Sequence, residues 1–172
     1  MFVSHDPSKE TYLQFIVRLH DYDEVKKMLK EGVDVNYTVE DCFYPIELAI
    51  SNKDYKIVKL LLENGAYPDS PKYFDNILCL ACSLQLPSIV KLLCEYGADV
   101  NARNKEGTTP LIISTIAENT EQVHILLEHN ADPNIKDTKN QTALDYTFMN
   151  IRCADIKKLL LEHGAKQNIF PA

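Results

Sequence analysis

The sequence predicts an all-α solenoid of five stacked helix-turn-helix units joined by short β-hairpin-like turns. Three observations predict it. A glycine-centred piece recurs as LKEGVDVN, LENGAYPD, CEYGADVN, LEHNADPN and LEHGAKQN, with Gly32, Gly65, Gly97, Asn130 and Gly164 spaced by 33, 32, 33 and 34 residues. An apolar series runs 19 or 20 residues upstream of each mark: Leu13, Ile46, Leu78, Leu111 and Leu144. Within a period the apolar residues fall three and four apart, as in Ile57, Val58, Leu61 and Leu62, which places them on one helix face. Self-similarity at this period is the mark of a repeat architecture, in which one unit cannot bury its apolar face alone.

Each element follows from local chemistry. The first helix of a unit starts best at Thr108-Thr109-Pro110-Leu111, where a threonine can cap and Pro110 sits in the first turn without losing a hydrogen bond. The second helix ends at glycine or at Asn130, the residue types that tolerate left-handed backbone angles. The D-x-N that follows suits a turn, because short polar side chains bond back to nearby main chain. The ends read as caps. Val25, Val58, Val90 and Val123 share one place, which Lys157 takes in unit five, and Ala49 and Ala81 give way to Thr147. Unit one carries a bulky Ile16 at that second place. One domain, 1–172, is expected, with repeats at about 6–38, 39–70, 71–103, 104–136 and 137–172.

Composition narrows the function. Net charge is −7, shared as −4 over residues 1–65 and −3 over residues 66–172, with no basic arm. Such a chain repels phosphate backbones, so nucleic acid is not expected as a partner, while a basic protein is favoured. No apolar run approaches a membrane span, and MFVSHDPSKETYLQF has no basic start leading into an apolar stretch. Five cysteines without an export signal fit a reducing, cytoplasmic setting with free thiols. Cys79 and Cys82 form a C-x-x-C, yet the register puts both inside the first helix of unit three, and Cys94 replaces the leucine of its neighbours. Core packing explains them better than redox or zinc chemistry, which needs about four ligands close by. His129 and His163 fall in the last turn of their helices, where a partly cationic ring meets the negative end of the dipole. No Ser-His-Asp set, phosphate loop or H-E-x-x-H appears, so neither enzyme activity nor a metal or cofactor is expected. A thiol enzyme using Cys79 and Cys82 is the remote alternative.

The units resemble ankyrin repeats over nearly the whole chain. The carrying residues are Thr109-Pro110-Leu111, Tyr44-Pro45-Ile46 with Ala49, the pair Leu61-Leu62, and Gly97-Ala98-Asp99-Val100-Asn101. The resemblance implies a protein-binding function in which partners are gripped by the inter-repeat turns and the inner face of the first helices. Those places map onto Glu40, Asp41, Phe43 and Tyr44, then Asn52, then Lys72, Tyr73, Phe74 and Asp75, then Ser83 and Leu84, and then Arg103, Lys105 and Glu106. Further along they fall on Ile116, Ala117, Lys136, Thr138, Lys139 and Gln141. Cys42 and Phe74 replace the turn glycine seen as Gly107, so the two turns that gather Phe43, Tyr44, Tyr73 and Phe74 depart from the family pattern. Exposed aromatics in turns are enriched at binding hot spots. The expected function is a monomeric, stoichiometric binder or inhibitor of a protein such as a nuclease or toxin. A scaffold bridging two proteins is the alternative.

Overall fold

The computed structural model describes residues 7–38, 43–69, 76–148 and 153–167. They form ten helices: α1 (Pro7–Arg18), α2 (Tyr22–Lys30), α3 (Pro45–Ser51), α4 (Tyr55–Glu63), α5 (Ile77–Ser83), α6 (Pro87–Glu95), α7 (Pro110–Ile116), α8 (Thr120–Glu128), α9 (Ala143–Thr147) and α10 (Ala154–Glu162). No strand occurs among the described residues. None of these helices is long and apolar enough to cross a membrane.

The helices group into two compact units, residues 1–77 and 78–172. In the first, α1 packs on α2 and α3, and α4 on α2 and α3. In the second, α7 packs on α8 and α9, α8 on α6 and α10, and α9 on α10. First helices therefore stack on first helices and second helices on second, which is solenoid packing. The aligned series forms the core. Leu13, Ile46, Leu78, Leu111 and Leu144 are all fully buried, as are Val25, Val58, Val90 and Val123. Lys157 is half-buried, with its ammonium 4.4 Å from the centre of the Phe148 ring.

The caps follow the sequence where it holds a side chain of the right kind. The Thr109 hydroxyl accepts from the Ile112 N–H at 3.3 Å. Asp21, Asp54 and Asn119 cap α2, α4 and α8 in the same way. Tyr44 stands where a capping threonine would be, and there Glu47, buried in α3, accepts from the Tyr44 N–H at 2.7 Å. Helix α3 thus starts at the same register as α7 despite the altered sequence. His129 and His163 terminate α8 and α10 through a specific bond. The ring Nδ1–H of each donates to the carbonyl four residues back, Ile125 and Leu159, both at 2.8 Å. A neutral ring can make this bond, so no positive charge is needed there.

The turn between the two helices of a unit is left-handed at His20, Lys53, Gln85 and Glu118, with φ between 55° and 59°. No glycine marks it. A left-handed residue with a Cβ costs roughly 1–2 kcal/mol, part of which glycine returns as backbone entropy. Lys53→Gly is therefore expected to stabilise the protein by about 0.5–1 kcal/mol in urea denaturation. A loss of stability would contradict this reading of the turn.

Asparagine joins successive repeats within each unit. Asn36 Nδ2 donates to the Gly65 carbonyl at 2.8 Å, and its Oδ1 accepts from the Tyr67 N–H at 2.9 Å. Asn134 does the same to Gly164 at 3.1 Å and Lys166 at 2.8 Å. Asn101 accepts from the Asp132 N–H at 2.8 Å and reaches the Asn130 carbonyl at 3.5 Å.

Candidate functional site

The second unit holds two adjacent turns built on one plan. Asn104 Oδ1 accepts from the N–H groups of Glu106 and Thr108, at 3.0 and 2.8 Å. Thirty-three residues on by register, Asp137 Oδ1 accepts from Lys139 and Gln141, at 2.8 and 3.0 Å. Each turn closes through a left-handed residue, Gly107 (φ 69°) in one and Asn140 (φ 61°) in the other. A Cβ on Gly107 would also sit 3.2 Å from the main chain of Thr138. Close approach and backbone angle both call for glycine at this place.

The turns are tied together. The Thr138 hydroxyl and N–H both donate to the Glu106 carbonyl, at 2.9 and 3.2 Å. Arg103 donates from Nε to the Gly107 carbonyl at 3.1 Å and from its guanidinium end to the Lys136 carbonyl. Two of its N–H donors thus brace the turn scaffold. Lys105, Glu106, Lys136, Thr138 and Lys139 are exposed on the same two tips, and Gln141 is half-buried.

Between these tips and helices α7 and α9 lies a groove of about 460 Å³. Ile113, Ile116 and Ala117 give it an aliphatic floor. Its polar wall includes Glu106, Asp137, Thr138, Lys139 and Tyr146, with Asn104 and Thr108 completing the lining. Ile116 is 54% exposed, unusual for an isoleucine in so well buried a helix.

Asp137 and Tyr146 form a tight pair, with the phenol donating to Oδ2 at 2.5 Å. Burial works against the Asp137 charge, but the Tyr146 hydroxyl and the two turn N–H groups outweigh it and hold the carboxyl below its ordinary value. The bond to Asp137, then burial, then the charges of Asp137 and Glu106 push the Tyr146 phenol up to about 12. The signs give a window. The lowered carboxyl contributes stability above its ordinary value near ~4, lost as pH falls through the folded value. The raised phenol contributes stability below its ordinary value near ~10, lost as pH rises towards the folded value. Asp137→Asn keeps the turn acceptor that Asn104 shows to be sufficient, and replaces the oxygen that faces Tyr146. It is expected to move the Tyr146 titration from about 12 back towards ~10 and to cost about 1–2 kcal/mol at neutral pH. Tyrosinate absorbance against pH and urea denaturation check both; a phenol still titrating at the high value would contradict the pairing.

The sequence-derived partner residues are distributed unevenly. Glu40, Asp41, Lys72, Tyr73, Phe74 and Asp75 lie outside the described residues. Phe43 and Tyr44 are half-buried ahead of α3. Asn52 is also half-buried, and its amide donates to the Val17 carbonyl at 3.1 Å, holding the end of α1. Ser83 is exposed and donates to the Leu80 carbonyl at 2.8 Å, with Leu84 half-buried beside it. Among Arg103, Lys105 and Glu106, only Glu106 lines the groove. Sequence reasoning missed Asp137 and Tyr146. Two signals were available: Asp137 aligns with Asn104, and Tyr146 aligns with Ile113.

Four described cysteines, Cys79, Cys82, Cys94 and Cys153, are buried and unbridged. Burial drives the Cys82 thiol far above its ordinary range, with the neighbouring Ser114 hydroxyl opposing the rise, and pushes Cys94 up to about 11. Thiols held protonated in this way are poor nucleophiles. Cys79 and Cys82 are core residues of α5.

A family model of ankyrin repeats in three copies matches residues 78–170, and a single ankyrin repeat matches residues 41–73. Ankyrin repeat and SOCS box protein 5 of Oryctolagus cuniculus is 33% identical over 106 residues, covering 62% of this chain and 32% of that protein. An ankyrin repeat protein of fowlpox virus is 31% identical over 150 residues, covering 82% of this chain and 44% of its own length. Transient receptor potential cation channel subfamily A member 1 of Drosophila melanogaster is 27% identical over 163 residues, or 87% of this chain and 13% of the channel. The chain spans less than half the length of each of these relatives. The matched ranges cover the repeat register and the stacked helix pairs described above, and the chain belongs to the ankyrin repeat family.

Proposed function

We propose that this chain is a non-catalytic, stoichiometric binder that inhibits a partner protein by covering part of its surface, with the groove of the second unit as a main contact. Ankyrin repeats are protein–protein interaction modules. The single observation that carries the reading is the groove itself, where an exposed Ile116 stands on a hydrogen-bonded frame of two turns and a capped helix. An apolar side chain on a preorganised surface loses little conformational entropy on binding. The aromatic pairs Phe43-Tyr44 and Tyr73-Phe74 are, by sequence, further contact candidates in the turns ahead of α3 and α5. The net charge of −7 favours encounter with a basic protein and makes the association rate salt-sensitive.

The test is to capture the partner from an extract of the native host, purify it, and mix it with this chain at increasing ratio. A binder of this kind saturates at a fixed stoichiometry and removes the partner's activity in proportion. A ternary complex with two different proteins bound and both still active would instead support a scaffold. Turnover of the partner, without a stable complex, would overturn the reading.

A further inference from the structure

The groove of the second unit has a chemistry that selects its occupant. Its lining carries two carboxylates, Glu106 and Asp137, against one cation, Lys139. Both carboxylates line the groove together with Tyr146, whose hydroxyl donates to Asp137 at 2.5 Å. Arg103, Lys105 and Lys136 stand on the same tips outside the lining, and two of the Arg103 N–H groups are held by the carbonyls of Gly107 and Lys136. Below this acidic wall lies the aliphatic floor of Ile113, Ile116 and Ala117. Long basic side chains have the matching form, an apolar stem and a charged head. The volume, about 460 Å³, is within the range of pockets that bury small ligands.

We propose that this groove receives an extended segment of the partner protein bearing an arginine or lysine, its stem on Ile113 and Ile116 and its cationic head at Glu106 beside the Asp137–Tyr146 pair. The inference rests on the protein-binding reading above and adds the chemistry of the bound segment. Glu106 is the adjustable part of the site. Its main-chain carbonyl ties the two turns together, whereas its side chain is exposed and can be changed without disturbing that bond.

Selection of a random peptide display library on the immobilised full chain tests this. Enriched peptides are expected to carry arginine or lysine next to an apolar residue. The affinity of the best peptide, read by fluorescence anisotropy, is expected to fall about tenfold or more on Glu106→Lys, on Ile116→Asp, and on replacing the basic residue of the peptide by alanine. Enrichment of acidic or uncharged peptides, indifference to Glu106→Lys, or no enrichment would overturn the proposal. Concentration-dependent dimerisation abolished by Glu106→Lys would also overturn it, by making a second copy the occupant. If a native partner is captured through Ile116 while the peptides are acidic, only the proposed segment chemistry falls. If neither partner nor peptide binds, the protein-binding reading falls with it.

Discussion

Leu126→Ala is expected to destabilise the second unit by about 3–5 kcal/mol in calorimetric or urea unfolding. Leu126 is fully buried in α8, at the place held by Leu61 in α4 and Leu93 in α6. Helix α8 packs on α6, α7 and α10, and Leu126 belongs to its fully buried set. The cost of truncation grows with the volume that neighbours cannot refill, and a residue held on several sides leaves little room for collapse. Domains of this size have only about 5–15 kcal/mol in total, so the variant would lose a large share of its stability. Leu161→Ala is the control: that side chain is 49% exposed on α10 and its removal is expected to cost well under half as much. A Leu126→Ala loss below about 1 kcal/mol would contradict the packing described for α8.

Ile116→Asp is expected to weaken partner binding by about 2 kcal/mol or more, roughly thirtyfold, in isothermal titration, with the melting temperature nearly unchanged. The residue is the last of α7, and with 54% of its surface in solvent it contributes little to the core. In a complex it would lie in the floor of the groove, surrounded by the turn tips, which is where dominant contacts are found. An aspartate there removes apolar contact and buries a charge beside Glu106 and Asp137, so both changes act in one direction.

Much of the fold was legible because repeat periodicity multiplies weak local signals. Gly32 alone says little, but Gly32, Gly65, Gly97, Asn130 and Gly164 at one period specify helix ends, and all five are left-handed in the structure. The D-x-N motif was only half legible. Its aspartate does make the local turn bond, as from Asn36 N–H to Asp34 at 2.9 Å. Its asparagine reaches the next repeat, about one period away, and no local spacing reveals that partner. In the second repeat this place holds Asp69, whose carboxylate has no N–H to donate. The turn between paired helices was illegible for a different reason. His20, Lys53, Gln85 and Glu118 share a left-handed angle without sharing a residue type suited to it.

The candidate site was less legible than the fold. Arg103 looks like a contact residue in the sequence, and its guanidinium is bonded to two main-chain carbonyls. Tyr146 aligns with the apolar Ile113, and its hydroxyl donates to a carboxylate at the groove wall. Gln122 shows the same limit inside the core. It sits fully buried where Ile57, Ile89 and Ile156 stand in other repeats, its amide reaching the Ala81 carbonyl at 3.5 Å. Which way a polar side chain turns depends on acceptors brought near by the chain fold, and the pattern of one repeat does not contain them.

The central claim is that the chain binds a protein through the groove of the second unit. Titration of the captured partner into wild type, Ile116→Asp and Tyr96→Asp tests it most directly, Tyr96 being 41% exposed and outside the groove. Full-strength binding to wild type and Tyr96→Asp, with loss on Ile116→Asp, is the predicted result. Equal affinity for all three, or loss confined to Tyr96→Asp, would contradict it.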